Sequence, residues 1–176
     1  TFLISKLLKY LYVNIQIMQT KIQSNTTMPY RISSILFAKN RRSLLAAAEI
    51  NTEMSCDVYI ITVGTPLNAE GVARLDMIKS AAFQVAEHMS DGALIILRST
   101  VKIGTTRNIV APILENSGKR YEIAMCPERT LEGKALQELR ELPQIIGADQ
   151  PHARDRAAKF FQNLTKSIVQ VSSLEA

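Results

Sequence analysis

The sequence predicts an α/β fold, an incomplete doubly wound sheet that is mainly parallel and carries helices on its faces. Two observations carry this. Short apolar runs rich in Ile, Val and Leu alternate with stretches of helical spacing. Strands buried on both faces and linked by crossover helices produce that pattern. Glycine, proline and Asp-Gly signals mark most of the changes from one kind of segment to the next.

The elements follow in order. Val58–Val63 (VYIITV) reads as a buried strand ended by Gly64 and Pro66. Residues 72–89 place Leu75, Ile78, Ala82, Val85 and Met89 on one helical stripe. Asp91-Gly92 is a turn, and Ala93–Leu97 (ALIIL) is a second buried strand. A helix is expected over Gly104–Glu115, with Gly118 just past its end as a C-cap. Tyr121–Cys126 is a third strand, stopped by Pro127. Residues 134–141 read as a helix and Gln144–Gly147 as a short strand. Pro151 opens a helix expected to reach Leu164, and Ile168–Val171 is the last strand. Residues 1–43 mix apolar and polar positions without a clear period. They are set apart as an atypical N-terminal segment, with the domain proper over 44–176.

Bulk properties narrow the function. The 176 residues suit one domain, and 47% apolar with 21% charged residues describes a soluble globular chain. The net charge of +5 suits weak attraction for phosphates. Basic residues are not interleaved with aromatics, which argues against a nucleic-acid partner. Cys56 and Cys126, with His88 and His152, provide neither a disulfide framework nor metal-ligand spacing. No metal is expected, and reduced thiols point to a cytoplasmic location. In residues 2–18, Lys6, Lys9, Asn14 and Gln16 interrupt the apolar residues, so no run approaches the roughly 18 residues of a membrane span. No membrane association is expected.

Ligands of such sheets bind beyond the carboxyl ends of the strands, which directs attention to three segments. In residues 63–71 (VGTPLNAEG), Gly64 lets the chain turn sharply, Thr65 offers a hydroxyl and Pro66 fixes the turn. Such a loop faces a ribose, a phosphate or a nicotinamide, or is an ordinary strand-to-helix turn. In residues 98–106 (RSTVKIGTT), Ser99 and Thr100 place two hydroxyls at a strand end, and Gly104, Thr105 and Thr106 open a helix. Free N–H groups there favour an anion, or the hydroxyls only cap the helix. In residues 126–133 (CPERTLEG), Glu128 and Glu132 lie four apart with Arg129 between them. A carboxylate pair at the mouth of a cleft holds a water or takes a proton. The alternative is a solvated loop with a local Arg–Glu pair worth little.

In order and approximate spacing, these segments resemble the UDP-glucose/GDP-mannose dehydrogenase family. The resemblance covers roughly residues 44–176. It rests on DVYIITVGTPLNAEG, LIILRSTVKIGTT and CPERTLEGKALQELRELPQIIG. The last block is most similar to the branch acting on UDP-N-acetylmannosamine. The resemblance implies a Rossmann-like NAD-binding domain of an oxidoreductase of polysaccharide biosynthesis. Such an enzyme oxidises the C6 hydroxyl of a UDP-sugar to the carboxylate with two NAD+. A cysteine traps the intermediate aldehyde as a thiohemiacetal, the second oxidation gives a thioester, and water releases the uronic acid.

The resemblance also implies roles for individual residues. Thr65, within Gly64-Thr65-Pro66, contacts NAD. Thr100, beside Ser99, lies near the nicotinamide and the catalytic water. Glu128 is the first glutamate of the site. Glu132 is the second, close to the nicotinamide and active in the water and proton steps. Arg129, Thr130 and Leu131 lie along the sugar nucleotide. The full-length protein is expected to be a homodimer.

Two family features have no counterpart in this chain. No glycine precedes Gly64, so there is no Gly-x-Gly-x-x-Gly turn. The family's catalytic lysine, asparagine and nucleophilic cysteine belong to parts beyond this chain, and Cys126 reads as a packing residue. The chain is therefore expected to be a fragment, inactive in isolation. The alternatives are a non-catalytic remnant or interaction module, and another NAD-linked hydroxy-acid dehydrogenase on the same sheet.

Overall fold

The structure, a computed structural model, describes residues 11–13, 50, 56–131 and 133–175. Among them, six strands form one sheet in sequence order: β1 (Leu11–Val13), β2 (Val58–Ile61), β3 (Ala93–Leu97), β4 (Tyr121–Met125), β5 (Gln144–Gly147) and β6 (Ile168–Val171). Helix α1 (Asp76–His88) links β2 to β3, and α2 (Ala111–Glu115) links β3 to β4. Helix α3 (Ala135–Glu141) precedes β5, and α4 (Pro151–Phe161) links β5 to β6.

The pleat of β3 explains the layers. Its five residues are all buried, and successive side chains point to opposite faces. Ala93, Ile95 and Leu97 join Tyr59 and Ile61 against Ile78, Ala82, Val85 and Met89 of the α1 side, with Val110 and Leu114. Leu94 and Ile96 join Ile60, Ala124, Cys126 and Ile146 against Ala153, Ala157, Ala158 and Phe161 of α4. Each fully buried aliphatic side chain contributes about 1.5–3 kcal/mol relative to exposure. The two-sided burial of β3 is therefore the main reason that helices cover both faces. The stripe expected on α1 and the strands expected at Ala93–Leu97, Gln144–Gly147 and Ile168–Val171 are where the sequence places them.

Four differences have physical causes. Strand β2 ends at Ile61, because the Val63 carbonyl accepts the Ser99 hydroxyl at 2.6 Å and so serves a turn instead of the ladder. The helix expected from Gly104 begins as a π turn at Thr106–Val110, with the Ala111 N–H reaching Thr106 O five residues back. Pro112 has no N–H to give and crowds the preceding turn, which widens the ladder just before it. Helix α4 stops at Phe161 because the Asn163 amide donates to the Lys159 and Phe160 carbonyls, each at 3.0 Å.

The fourth difference is direction. Strands β1 to β4 are mutually parallel, but β5 runs antiparallel to β4, and β6 runs parallel to β5. The pairing of β4 with β5 is the single register Met125↔Gly147. Counting back from it, Gln144 lies across from Glu128, beyond the end of β4. Most of β5 therefore flanks the loop after β4. Gly147 is pressed against the backbone after β6: a Cβ there would stand 2.5 Å from Ser173 O.

Candidate functional site

The three strand-end segments meet. The Thr65 hydroxyl donates to the Thr100 carbonyl at 2.6 Å, which ties the turn after β2 to the turn after β3. Ser99 is buried and donates to Val63 O, so its proton is committed to the same junction. Backbone bonds continue the sheet past the strands: Arg98 N donates to Ile61 O at 2.9 Å and Glu128 N to Arg98 O at 3.1 Å. Thr100 is exposed beside this junction. Gly64 follows the strand without a left-handed backbone angle. Gly64 is not among the glycines with positive φ, and no atom lies within 4 Å of where a Cβ would stand. Open space, not conformation, is what glycine leaves there. Its neighbour Pro66 is exposed, and the loop beyond is organised by Asn68 Oδ1, which accepts from the amides of Glu70 and Val72.

At Glu128 the local Arg–Glu pair of the alternative reading is not formed by the Arg129 side chain. Arg129 donates instead to Pro143 O at 3.1 Å. The cation on Glu128 is Arg98, which sends Nε at 3.0 Å and Nη2 at 2.8 Å to Oε2. The other oxygen, Oε1, accepts from the amides of Arg129 at 2.9 Å and Thr130 at 2.8 Å. A carboxylate has about four acceptor positions, and here they are filled. Burial alone would raise the Glu128 carboxyl, but the Thr130 amide and the Arg98 charge outweigh it and hold it below its ordinary value. Such a group anchors a loop. It takes a proton only if one of these bonds opens. Next along, Leu131 is 63% exposed, and its N–H donates to Glu138 Oε2 at 2.6 Å. Glu132 lies outside the described residues, so the expected carboxylate pair is seen only in its first member.

Beside the junction lies a cleft of about 160 Å3, bounded by the turn from Val101 to Gly104, by Met125 and Pro127, and by Gly147 and Leu174. Pockets that swallow a whole drug-sized ligand run from about 300 Å3, so this one takes a ring or a short arm of a larger ligand. Thr65, Ser99, Thr100 and the 128–131 loop adjoin the cleft without lining it. Lys102 and Ile103, the latter 85% exposed, form part of its rim, and neither stood out in the sequence. Gly104 takes φ +86°, and a Cβ there would stand 2.8 Å from Asn108 Nδ2, so only glycine fits this turn comfortably. The helix beyond has no side-chain N-cap, against the capping alternative, and Thr105 and Thr106 are buried. On the far rim Arg107 bonds both Asp149 and Glu175.

Arg98 and Gln144 are the residues that sequence reasoning missed. Their only signal was polar side chains at the end and the start of apolar strands. Cys126 is fully buried, and burial pushes its thiol up to about 12 against the lowering effect of Arg98. It is therefore protonated and shielded, as expected of a packing residue. Among the described residues, no group of His, Cys, Asp or Glu is placed to hold a metal ion, and no helix is long and apolar enough to cross a membrane.

A mainly parallel doubly wound sheet with hydroxyls and a carboxylate gathered at its strand ends has the form of a nucleotide-binding α/β domain, whose ligands lie beyond those ends. The family model described as "UDP-glucose/GDP-mannose dehydrogenase family, NAD binding domain" matches residues 15–165, and it takes in part of the segment that the sequence left unassigned. The chain belongs to this family of NAD-dependent nucleotide-sugar dehydrogenases. It is 34% identical over 119 residues to a UDP-N-acetyl-D-mannosamine dehydrogenase of Methanococcus aeolicus, covering 66% of this chain and 27% of that protein. It is 36% identical over 115 residues to the enzyme of the same name from Pyrococcus horikoshii, covering 62% and 27%. The chain thus spans about a quarter of the length of these curated relatives. A solved UDP-glucose dehydrogenase from Pyrobaculum islandicum superposes with a TM-score of 0.79 at 22% identity, covering 95% of this chain and 41% of that one, and shares its fold.

As its family model states, this is an NAD-binding domain. The open face above Gly64 and the exposed Thr100 suit the approach of a flat ring to the ends of β2 and β3. For the pyrophosphate, no glycine-rich turn is present, since the first glycine of the chain is Gly64.

Proposed function

We propose that this domain serves the oxidation of the C6 hydroxyl of a UDP-sugar, UDP-N-acetylmannosamine first among them, to the uronic acid in cytoplasmic polysaccharide biosynthesis. The observation that carries the reading is the meeting of Thr65, Thr100 and the Glu128 loop at the ends of β2, β3 and β4, in a chain whose quoted relatives are named for that sugar nucleotide. Bound NAD+ supplies the hydride acceptor. Thr65 fixes the Thr100 carbonyl, which leaves the exposed Thr100 to orient the catalytic water. Glu128 orders the loop, so that Arg129, Thr130 and Leu131 lie along the sugar nucleotide. Glu132 takes the proton step that the saturated Glu128 is poorly placed to perform. Alcohol to carboxylate is a four-electron oxidation, so two NAD+ are consumed, and water supplies the second carboxylate oxygen. The nucleophilic cysteine comes from elsewhere in a full-length homodimer.

The test is a calorimetric titration of NAD+ into the folded chain, with Thr100→Ala beside it. Binding that weakens in the variant supports the reading. A folded chain that binds no NAD+ removes it for this domain. Such a result favours a second reading suggested by the missing glycine turn, a non-catalytic remnant or interaction module. The sugar is tested by mass-spectrometric analysis of full-length protein given UDP-N-acetylmannosamine or UDP-glucose with NAD+.

A further inference from the structure

Arg98 closes the polar end of an otherwise apolar strand, and its side chain is 10% exposed. Burying a guanidinium is costly unless its donors are met, and here they are met by three residues on two segments. Nε and Nη2 go to Glu128, while Nη1 goes to Gln144 Oε1 at 2.7 Å and to Cys126 O at 3.3 Å. The guanidinium lies 5.1 Å from the centre of the Phe161 ring. Gln144 is itself held, since its Nε2 donates to Ile145 O at 2.8 Å, which turns its oxygen toward Arg98. Apolar residues in place of the whole ion pair would fill the space without that cost, so packing alone does not account for an arginine.

We infer that Arg98 is a positioning residue: acting through Glu128, it sets the shape of the 128–131 loop. Relevance to a sugar nucleotide rests on the function proposed above. The charged groups around Glu128 leave Arg98 as its cation. Arg129 is turned to Pro143 O, Glu138 of α3 is engaged by the Leu131 amide, and the Cys126 thiol is neutral. With Oε2 held by Arg98, Oε1 faces the amides of Arg129 and Thr130 and fixes the turn. The planar fork matters. An ammonium at the same place is a point charge that cannot satisfy Glu128, Gln144 and Cys126 O in one plane.

The experiment is a carbon-13 NMR titration of glutamate carboxyls in the whole chain, with Glu128 assigned by its loss in Glu128→Gln, together with amide exchange at Thr130. In Arg98→Lys and Arg98→Gln, the Glu128 midpoint moves up and Thr130 exchange quickens about tenfold or more, as expected for loss of charge-assisted bonds. In Arg98→Lys the midpoint moves less than in Arg98→Gln. A folded Arg98 variant with both readouts unchanged overturns the inference. Should both variants fail to fold, Glu128→Gln is read from the other side. Exchange of the Arg98 Nε–H quickens if the pair is as described, and unchanged exchange overturns it. UDP-N-acetylmannosamine binding on the same samples separates the two readings. A chain whose Glu128 responds as expected but binds no UDP-sugar keeps the positioning role and loses the proposed substrate.

Discussion

Arg98 and Arg107 flank the same turn and bond carboxylates at nearly the same distances, 2.8–3.0 Å for Arg98 and 2.8–2.9 Å for Arg107. They differ in access to water. The Arg98 side chain is 10% exposed, and it touches Phe161, Gln144 and the Cys126 carbonyl. The Arg107 side chain is 46% exposed, and water replaces Asp149 or Glu175 at little cost. The number and shortness of bonds do not rank the two. Burial makes one arginine a fixed strut and leaves the other an ornament of the rim.

The largest expected effect breaks the buried member. Arg98→Met should destabilise the fold by about 2–3 kcal/mol in urea unfolding. That is below the ~3–5 kcal/mol for a fully buried pair, because Glu128 is 40% exposed. Next comes the segment that Arg107 touches, which packing holds instead of charge. Gly147→Ala places a Cβ 2.5 Å from Ser173 O, and the backbone must move, at about 1–3 kcal/mol in the same assay. A smaller effect is read with pH. The Glu128 carboxyl sits below its ordinary 4.5 in the folded chain, so its contribution is fully present above that value and is lost as pH falls through the lower folded value. Glu128→Gln should flatten that part of the acid-unfolding profile. Alkylation sharpens the burial argument further: native Cys126 should stay unmodified by iodoacetamide at pH 8 and react in urea. The smallest effect is at Arg107→Ala, whose urea midpoint should match the parent, with any difference vanishing in added salt. A loss comparable to that of Arg98→Met would break the comparison.

Residues with local causes were legible in the sequence. The apolar runs of β3, β5 and β6 and the stripe of α1 depend on nearest neighbours and periodicity, and they stand where expected. The convergence of Thr65, Thr100 and the Glu128 loop follows from a general rule about strand ends. The Arg98 strut was not legible. Its partners lie 28, 30 and 46 residues away, and a strand-end arginine ordinarily reads as solvated. In the local Arg–Glu pair offered as the alternative reading of this loop, Glu128 is taken instead by that distant competitor. Pro112 was visible, but its effect on the preceding turn depends on how the ladder adjusts around it. The reversal of β5 follows from a link that holds only the short α3, and local pattern carries no direction for a four-residue apolar run.

That reversal gives the sheet an uneven rim. Joined to β4 at one residue pair only, β5 rises three residues past it, roughly 10 Å at the usual rise per residue. The strand ends of β2, β3 and β4 form a terrace, and β5 with β6 forms a bank along one side of it. A ligand laid on the terrace meets the backbone of that bank along one flank. An elongated molecule is bounded on that side by topography before any side chain reads it.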